Sequence, residues 1–125
     1  MIIGIGTDIV TIERIAKVLE RQGERFVERI LHPSERLEFE NHPQPERFLS
    51  KRFAVKEAAS KALGTGIGQG VSWQDFWVEH SELGAPLLRM CGKAKLTAEQ
   101  LGATCFHLSL ADEVDTVVAF VVLSK

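Results

Sequence analysis

Between about Pro45 and Leu63 lies the longest helical run of the chain, and it dictates what the remaining segments must cover. The run is rich in Ala, Leu, Lys and Glu. It opens on a proline suited to the first helical position and closes on the glycines of Gly64-Thr65-Gly66-Ile67-Gly68-Gln69-Gly70. Beyond them the hydrophobic period changes from 3.6 to 2. Asp75 to His80 alternates, Leu83-Gly84-Ala85-Pro86 turns the chain, and Leu87 to Cys91 reads as the return strand. A helix over about Lys93 to Leu101 ends at Gly102. Strands over Thr104 to Leu110 and Thr116 to Leu123 follow, joined by the polar turn Ala111 to Asp115. Upstream, Ile2 to Ile9 reads as a buried strand ending near Thr7-Asp8. Thr11 then caps a helix with Ile12, Ile15, Ala16 and Leu19 at i, i+3, i+4 and i+7 and Gly23 as its stop. A short helix covers Phe26 to Leu31, and Ser34 caps another short helical stretch before the loop His42-Pro43-Gln44-Pro45. The order β-α-α-α-β-β-α-β-β predicts a mixed α/β (α+β) fold, one compact domain over residues 1–125 with a mainly antiparallel sheet and one long helix.

A chain of 125 residues buries roughly two-thirds of its unfolded surface, so it needs neither disulfides nor a structural metal to fold. Fifteen Lys and Arg against seventeen Asp and Glu give a net charge of −2, which argues against a general nucleic-acid binder. No segment has the roughly 18 apolar residues of a membrane span, and the opening MIIGIG lacks the charged start and long apolar run of a signal peptide. Cys91 and Cys105 fall in no metal-binding spacing. The expectation is a cytoplasmic protein with neither a membrane nor a nucleic acid as partner. Its charge is unevenly spread: Arg47, Lys51, Arg52, Lys56 and Lys61 against Glu46 and Glu57 make the long helix +3 and the remainder −5. Such a helix is either a solvated face or a site for a specific anion.

On a helical wheel Arg47, Ser50, Ala54, Glu57, Lys61 and Gly64 share one stripe, with the small Ser50 and Ala54 leaving space below Glu57 and Lys61. A carboxylate and an ammonium one turn apart make either a surface ion pair or, with a second carboxylate, a place for a divalent cation bridging to phosphate. Asp8, after the strand Gly4-Ile5-Gly6-Thr7, supplies that second carboxylate or helps to cap the next helix. Gly4 and Gly6 lack the third glycine of a dinucleotide fingerprint. Like Gly64 and Gly66, they read as cap and turn residues whose free N–H groups remain open to a ligand. His107 shares the polar face of its strand with Cys105 and Ser109, structural there or meeting an anion. Arg14, Lys17 and Arg21, continued by Arg25 and Arg29, form a basic stripe that is either solvated or fitted to an acidic protein partner.

Three motifs in order, Gly4-Ile5-Gly6-Thr7-Asp8-Ile9-Val10, Arg52-Phe53-Ala54-Val55-Lys56-Glu57-Ala58-Ala59-Ser60-Lys61-Ala62-Leu63-Gly64-Thr65-Gly66 and His107-Leu108-Ser109-Leu110, resemble the holo-acyl-carrier-protein synthases, the small bacterial-type phosphopantetheinyl transferases. The resemblance spans essentially the whole chain. It implies a phosphopantetheinyl transferase-like fold and a Mg²⁺-dependent transfer of the phosphopantetheine arm of coenzyme A to a serine of acyl carrier protein, in a homotrimer with its sites between subunits. By motif position it implies Asp8 and Glu57 as metal ligands and Lys61 on the pyrophosphate. Glu57 is then the base, acting directly or through a metal-bound water. Arg52, Lys61, Gly64, Thr65, Pro86 and His107 would contact coenzyme A, and Arg14, Lys17, Arg21 and Arg25 would dock the carrier protein. Val10 stands where larger relatives carry a further acid, and Asp112 where many small members carry a histidine. The strand Val117 to Leu123, apolar on both faces, agrees with a sheet covered on both sides. A non-catalytic nucleotide or acidic-protein binder and a metal-dependent phosphodiesterase are the competing classes.

Overall fold

The computed structural model describes all 125 residues. Its elements are β1 (Ile2–Thr11), α1 (Ile12–Gln22), α2 (Glu24–Ile30), a 3-10 turn at Pro33–Glu35, α3 (Arg36–Asn41) and α4 (Pro45–Leu63). A second 3-10 turn at Trp73–Asp75, β2 (Phe76–His80), β3 (Pro86–Met90), α5 (Gly92–Leu101), β4 (Cys105–Asp112) and β5 (Thr116–Ser124) complete the chain. The fold is mixed α/β and wholly antiparallel: β1, β5 and β4 form one sheet in that order, and β2 pairs with β3 in another.

Local chemistry explains the bounds of α4. Pro45 stands in its first turn, and Gly64 takes a left-handed φ of 83° that a side chain would resist. The Gly64 amide returns to the Lys61 carbonyl, and those of Thr65 and Gly66 both return to Ser60. These N–H groups are consumed in closing the helix, so the expectation that they stay open to a ligand does not hold. The shorter helices depart more from their local signals. Thr11 precedes α1 in extended conformation, but its side chain makes no capping bond. His32, not Ser34, caps the turn at Pro33: its Nδ1 accepts from the Ser34 amide at 3.1 Å while Glu35 reaches back to the His32 amide at 3.0 Å.

α4 lies across β1 and β5, whose Val117, Ala119, Val121 and Leu123 join Ala54, Ala58, Ala59 and Ala62 in a core of 27 buried residues. Small residues on both elements bring the backbones together. Gly4 and Gly6 are therefore neither cap nor turn residues. They lie inside β1 against α4, and a Cβ on them would stand 2.1 Å from the Ala62 carbonyl oxygen and 2.0 Å from that of Ala58. Asp8 follows Gly6 on the helix-facing side, inside a strand that continues to Thr11, not at its end. Val10, on the same side, is buried. The opposite face of the sheet carries Ile5, Ile9, Val118, Phe120 and Val122, with Ile5 61% and Ile9 66% exposed.

Not all of the positive charge of α4 faces solvent. Lys56 is fully buried, its Nζ donating to Glu35 at 2.6 Å and to the Ile30 carbonyl at 2.7 Å. Arg52, also buried, lies 3.4 Å from Glu35 and over the Phe48 ring. Glu35 in turn accepts from the Val78 amide at 3.1 Å, tying β2 to this cluster. Burial lowers the pKa of both cations, with Glu35 opposing the shift. At the other end, Arg47 clamps the β4–β5 turn through Asp112 and the carbonyls of Glu113 and Val114, all within 2.8 Å. Three of the five cations counted as one basic helix thus hold the fold together.

Candidate functional site

Asp8 and Lys61 meet where β1 crosses the last turns of α4. Lys61 Nζ donates to Asp8 Oδ1 at 3.1 Å and to the Thr7 carbonyl at 3.0 Å. The wheel made Glu57 the neighbour of Lys61, one turn below. The structure sends the lysine across to the strand instead, leaving the Glu57 carboxylate without an ion pair or a hydrogen bond. The space foreseen beneath the pair is absent too, since Ser50 and Ala54 are fully buried under the sheet.

Glu57 is half-buried, and its carboxyl pKa is raised, first by burial and next by the Asp8 carboxylate. The Trp73 indole N–H, Lys61 and Arg14 oppose that rise. Two carboxylates that repel one another, with Lys61 paired to Asp8 and Arg14 acting on Glu57 without forming an ion pair, leave carboxylate oxygens free to accept a further cation. Two hard carboxylates are also the protein share of a typical Mg²⁺ site, where phosphate and water fill the other positions. The donor set suits that ion. No group of three or more His, Cys, Asp or Glu side chains gathers anywhere in the chain as an all-protein metal cage.

The other candidate residues fall into separate places. Arg52 and Pro86 border one cleft of about 330 Å³, with Lys51, His42 and Leu108. The Arg52 head, however, is largely committed to Glu35 and Glu38, and its side chain is only 4% exposed. Gly64 and Thr65 lie just beyond Lys61, at the end of α4. His107 stands on the uncovered face of the sheet, 2.8 Å from the Ser124 hydroxyl, and within one chain it joins neither Glu57 nor the Arg52 cleft.

Arg14, Lys17 and Arg21 line one shallow depression of about 780 Å³ along α1. Lys17 is paired with Glu13 at 3.1 Å, and Arg14 lies 5.6 Å from the centre of the Phe53 ring. Arg25 and Arg29 border a neighbouring depression with Val71 and Trp73. Arg14 and Arg29 also line a notch of about 260 Å³, partly polar and partly apolar, that includes Glu57, Phe26, Phe53 and Trp73. The basic stripe thus leads to the carboxylate. Trp73 was not foreseen as a site residue; the one signal for it was a large aromatic just after the glycine-rich stretch.

A family model described as the 4′-phosphopantetheinyl transferase superfamily matches residues 4–118. A holo-acyl-carrier-protein synthase of Photobacterium profundum is 57% identical over 124 residues, spanning 99% of this chain and 98% of its own length. Among solved structures, a holo-acyl-carrier-protein synthase from Neisseria meningitidis superposes with a TM-score of 0.93 at 46% identity, with both chains fully covered. One from Helicobacter pylori in complex with coenzyme A gives 0.83 at 34% identity, over 96% of this chain and 99% of that one.

Proposed function

The chain belongs to the 4′-phosphopantetheinyl transferase superfamily, and from that premise we propose how its residues carry the reaction. The reaction itself transfers the phosphopantetheine arm of coenzyme A to a serine of apo-acyl carrier protein, giving the holo form used in fatty acid synthesis. The observation that carries the site assignment is the Lys61 ammonium held on Asp8 at 3.1 Å while Glu57, one turn before it on α4 and near enough to feel the Asp8 charge, makes no ion pair.

Asp8 and Glu57 would hold Mg²⁺, which when bound neutralises the pyrophosphate charge and favours displacement at phosphorus. Lys61, already anchored by Asp8 and the Thr7 carbonyl, presents its ammonium to a pyrophosphate oxygen. Glu57 takes the proton of the carrier serine as its oxygen bonds to the phosphorus and the bond to the departing adenosine bisphosphate breaks. A carboxyl raised by burial and by Asp8 is a better proton acceptor than an exposed one. In the same reading Pro86 lies against the nucleotide end of coenzyme A, Arg52 supports that cleft from beneath through Glu35 and Glu38, and Gly64 and Thr65 border the pyrophosphate. Intact-mass analysis of apo-carrier protein incubated with coenzyme A and Mg²⁺ tests the whole. A gain of one phosphopantetheine supports it, no covalent product favours a binding module, and coenzyme A cleavage without an acceptor product favours a phosphodiesterase.

The assembly is a homotrimer in this reading. The apolar face bearing Ile5, Ile9 and Phe120 is what a neighbouring copy would cover, and His107 on that face would then reach the coenzyme A of another subunit. Sedimentation velocity at micromolar concentration should give a trimer; an active monomer rejects it. Residence in the cytoplasm, without a nucleic acid or membrane partner, belongs to the same proposal. No helix is long and apolar enough to cross a membrane.

Acyl carrier protein, an acidic helical partner, would meet the stripe of Arg14, Lys17, Arg21 and Arg25. Rim charges act mainly on encounter and are screened over about 8 Å at physiological salt. Reversing Arg14 and Arg21 to Glu is therefore expected to raise the KM for carrier protein and flatten its salt dependence, with coenzyme A affinity unchanged. Because Arg14 also borders the Glu57 notch, Arg21→Glu alone separates docking from a local effect. A fall in coenzyme A affinity with carrier KM unchanged would assign the stripe to the nucleotide instead.

A further inference from the structure

Trp73 sits on the 3-10 turn ahead of β2, its ring stacked on Phe53 with centroids 6.2 Å apart and planes inclined at 26°. Phe53 precedes Glu57 by one turn on α4, so the indole lies along the helix face that carries the carboxylate. Trp73, Phe53 and Glu57 border the same notch, closed by Ile15, Val18 and Phe26. The indole nitrogen is buried and has no hydrogen-bond partner, although it is a donor only and is normally paired when buried. Glu57, an acceptor only when ionised, also lacks a hydrogen-bonding partner, because Lys61 has turned to Asp8. An indole N–H without a partner and a carboxylate without a hydrogen bond or ion pair thus border one recess, which Arg14, Gln22 and Arg29 also line.

We propose that Trp73 is a positioning residue whose indole N–H donates to one Glu57 carboxylate oxygen in the loaded enzyme, fixing the rotamer that turns the other oxygen toward the cation shared with Asp8. The inference rests on the magnesium reading given above. The influence of the indole on the acidity of Glu57 agrees with the contact. Outer partners that orient a metal ligand typically contribute about 10–100-fold to metal affinity or activity. Phe53 keeps the ring in place by stacking, which leaves the N–H as the part that acts on Glu57.

Trp73→Phe keeps the stacking ring and deletes the N–H. Measured by electron paramagnetic resonance with Mn²⁺ as probe and coenzyme A present, its metal dissociation constant should rise about tenfold. Turnover should fall while the KM values for coenzyme A and carrier protein stay within about twofold. The modest drop in melting temperature from the smaller ring should be matched by Trp73→Leu, without the two variants' metal affinities depending on ring size. Wild-type affinity and turnover in a folded Trp73→Phe protein overturn the proposal. A wild-type protein that binds no Mn²⁺ overturns the magnesium reading and this inference with it, so the two failures are told apart. Should Trp73→Phe not fold, fluorescence decides. The chain has two tryptophans, so Trp77→Phe leaves Trp73 as the sole emitter, and with Mg²⁺ and coenzyme A present its emission must shift when Glu57→Leu, which has no acceptor, is added. An unchanged spectrum overturns the contact.

Discussion

Glu57→Gln is expected to lower turnover at least ~100-fold, the scale on which losing one preorganised charged or polar group is felt. The same substitution should make the metal-free protein more stable. Glutamine keeps the shape and one oxygen but cannot accept the serine proton or share a cation's charge with Asp8. Asp8→Ala should show a comparable loss of turnover by removing the other oxygen ligand and the anchor of Lys61. The stability gain follows from the raised carboxyl of Glu57. Between its unfolded and folded pKa values the native state holds more protons than the unfolded chain, so stability falls as pH rises through that window. Above the raised folded pKa the whole penalty stands, and a neutral side chain escapes it. Thermal melts of metal-free protein should place Glu57→Gln above wild type at pH 7, with the difference vanishing below the ordinary glutamate range. Added Mg²⁺ should stabilise wild type more than the variant, while coenzyme A stabilises both. A Gln variant that turns over normally would remove Glu57 from the reaction, and one that melts lower than wild type would show that the carboxylate is not strained by its surroundings.

What the sequence displays about this site depends on whether the signal is local. Pro45 and Gly64 mark the ends of α4 because a missing N–H and a left-handed backbone act within one turn, and both bounds are legible. The end of β1 is not, since Val10 and Thr11 extend the strand by pairing with Val117 and Thr116, more than a hundred residues away. Charge shows a similar limit. A wheel counts Arg52 and Lys56 as part of a basic face, yet burial beside Glu35 turns them inward, and no spacing along α4 reveals a partner on the turn after α2. Lys61 has a carboxylate one turn away on its own helix and takes the one on the strand, where the Thr7 carbonyl adds a second acceptor. The motif order was enough to name Asp8 and Glu57 together, through resemblance. The physical reason that the strand bearing one lies so close to the helix bearing the other is the two glycines that spacing assigned to turns.

Gly6→Ala tests that reason and should be among the most damaging single methyl additions in the chain. The new Cβ would stand 2.0 Å from the Ala58 carbonyl oxygen and 2.7 Å from the Ala62 nitrogen. Both are backbone atoms of α4, already committed to its helix, so no side chain can swing aside and the strand itself must back away. Overpacking of this kind costs roughly 3 kcal/mol at its upper range. For a chain of this size that is a fall in melting temperature on the order of 10 °C. Activity should suffer beyond the loss of folded protein, because Asp8 is two residues further along the same face and moves with the strand. A misplacement of about 1 Å in a positioned group can cost on the order of 100-fold. Gly4→Ala, 2.1 Å from the Ala62 carbonyl, should destabilise similarly but disturb Asp8 less, being four residues away. Melting curves and turnover measured on the folded fraction separate the two effects. If Gly6→Ala melts like wild type, β1 and α4 are not locked backbone to backbone, and the closeness of Asp8 to the Glu57–Lys61 turn needs another cause. If it melts low but its folded fraction turns over normally, the glycine serves the fold alone, and the carboxylates are positioned by something other than the strand–helix contact.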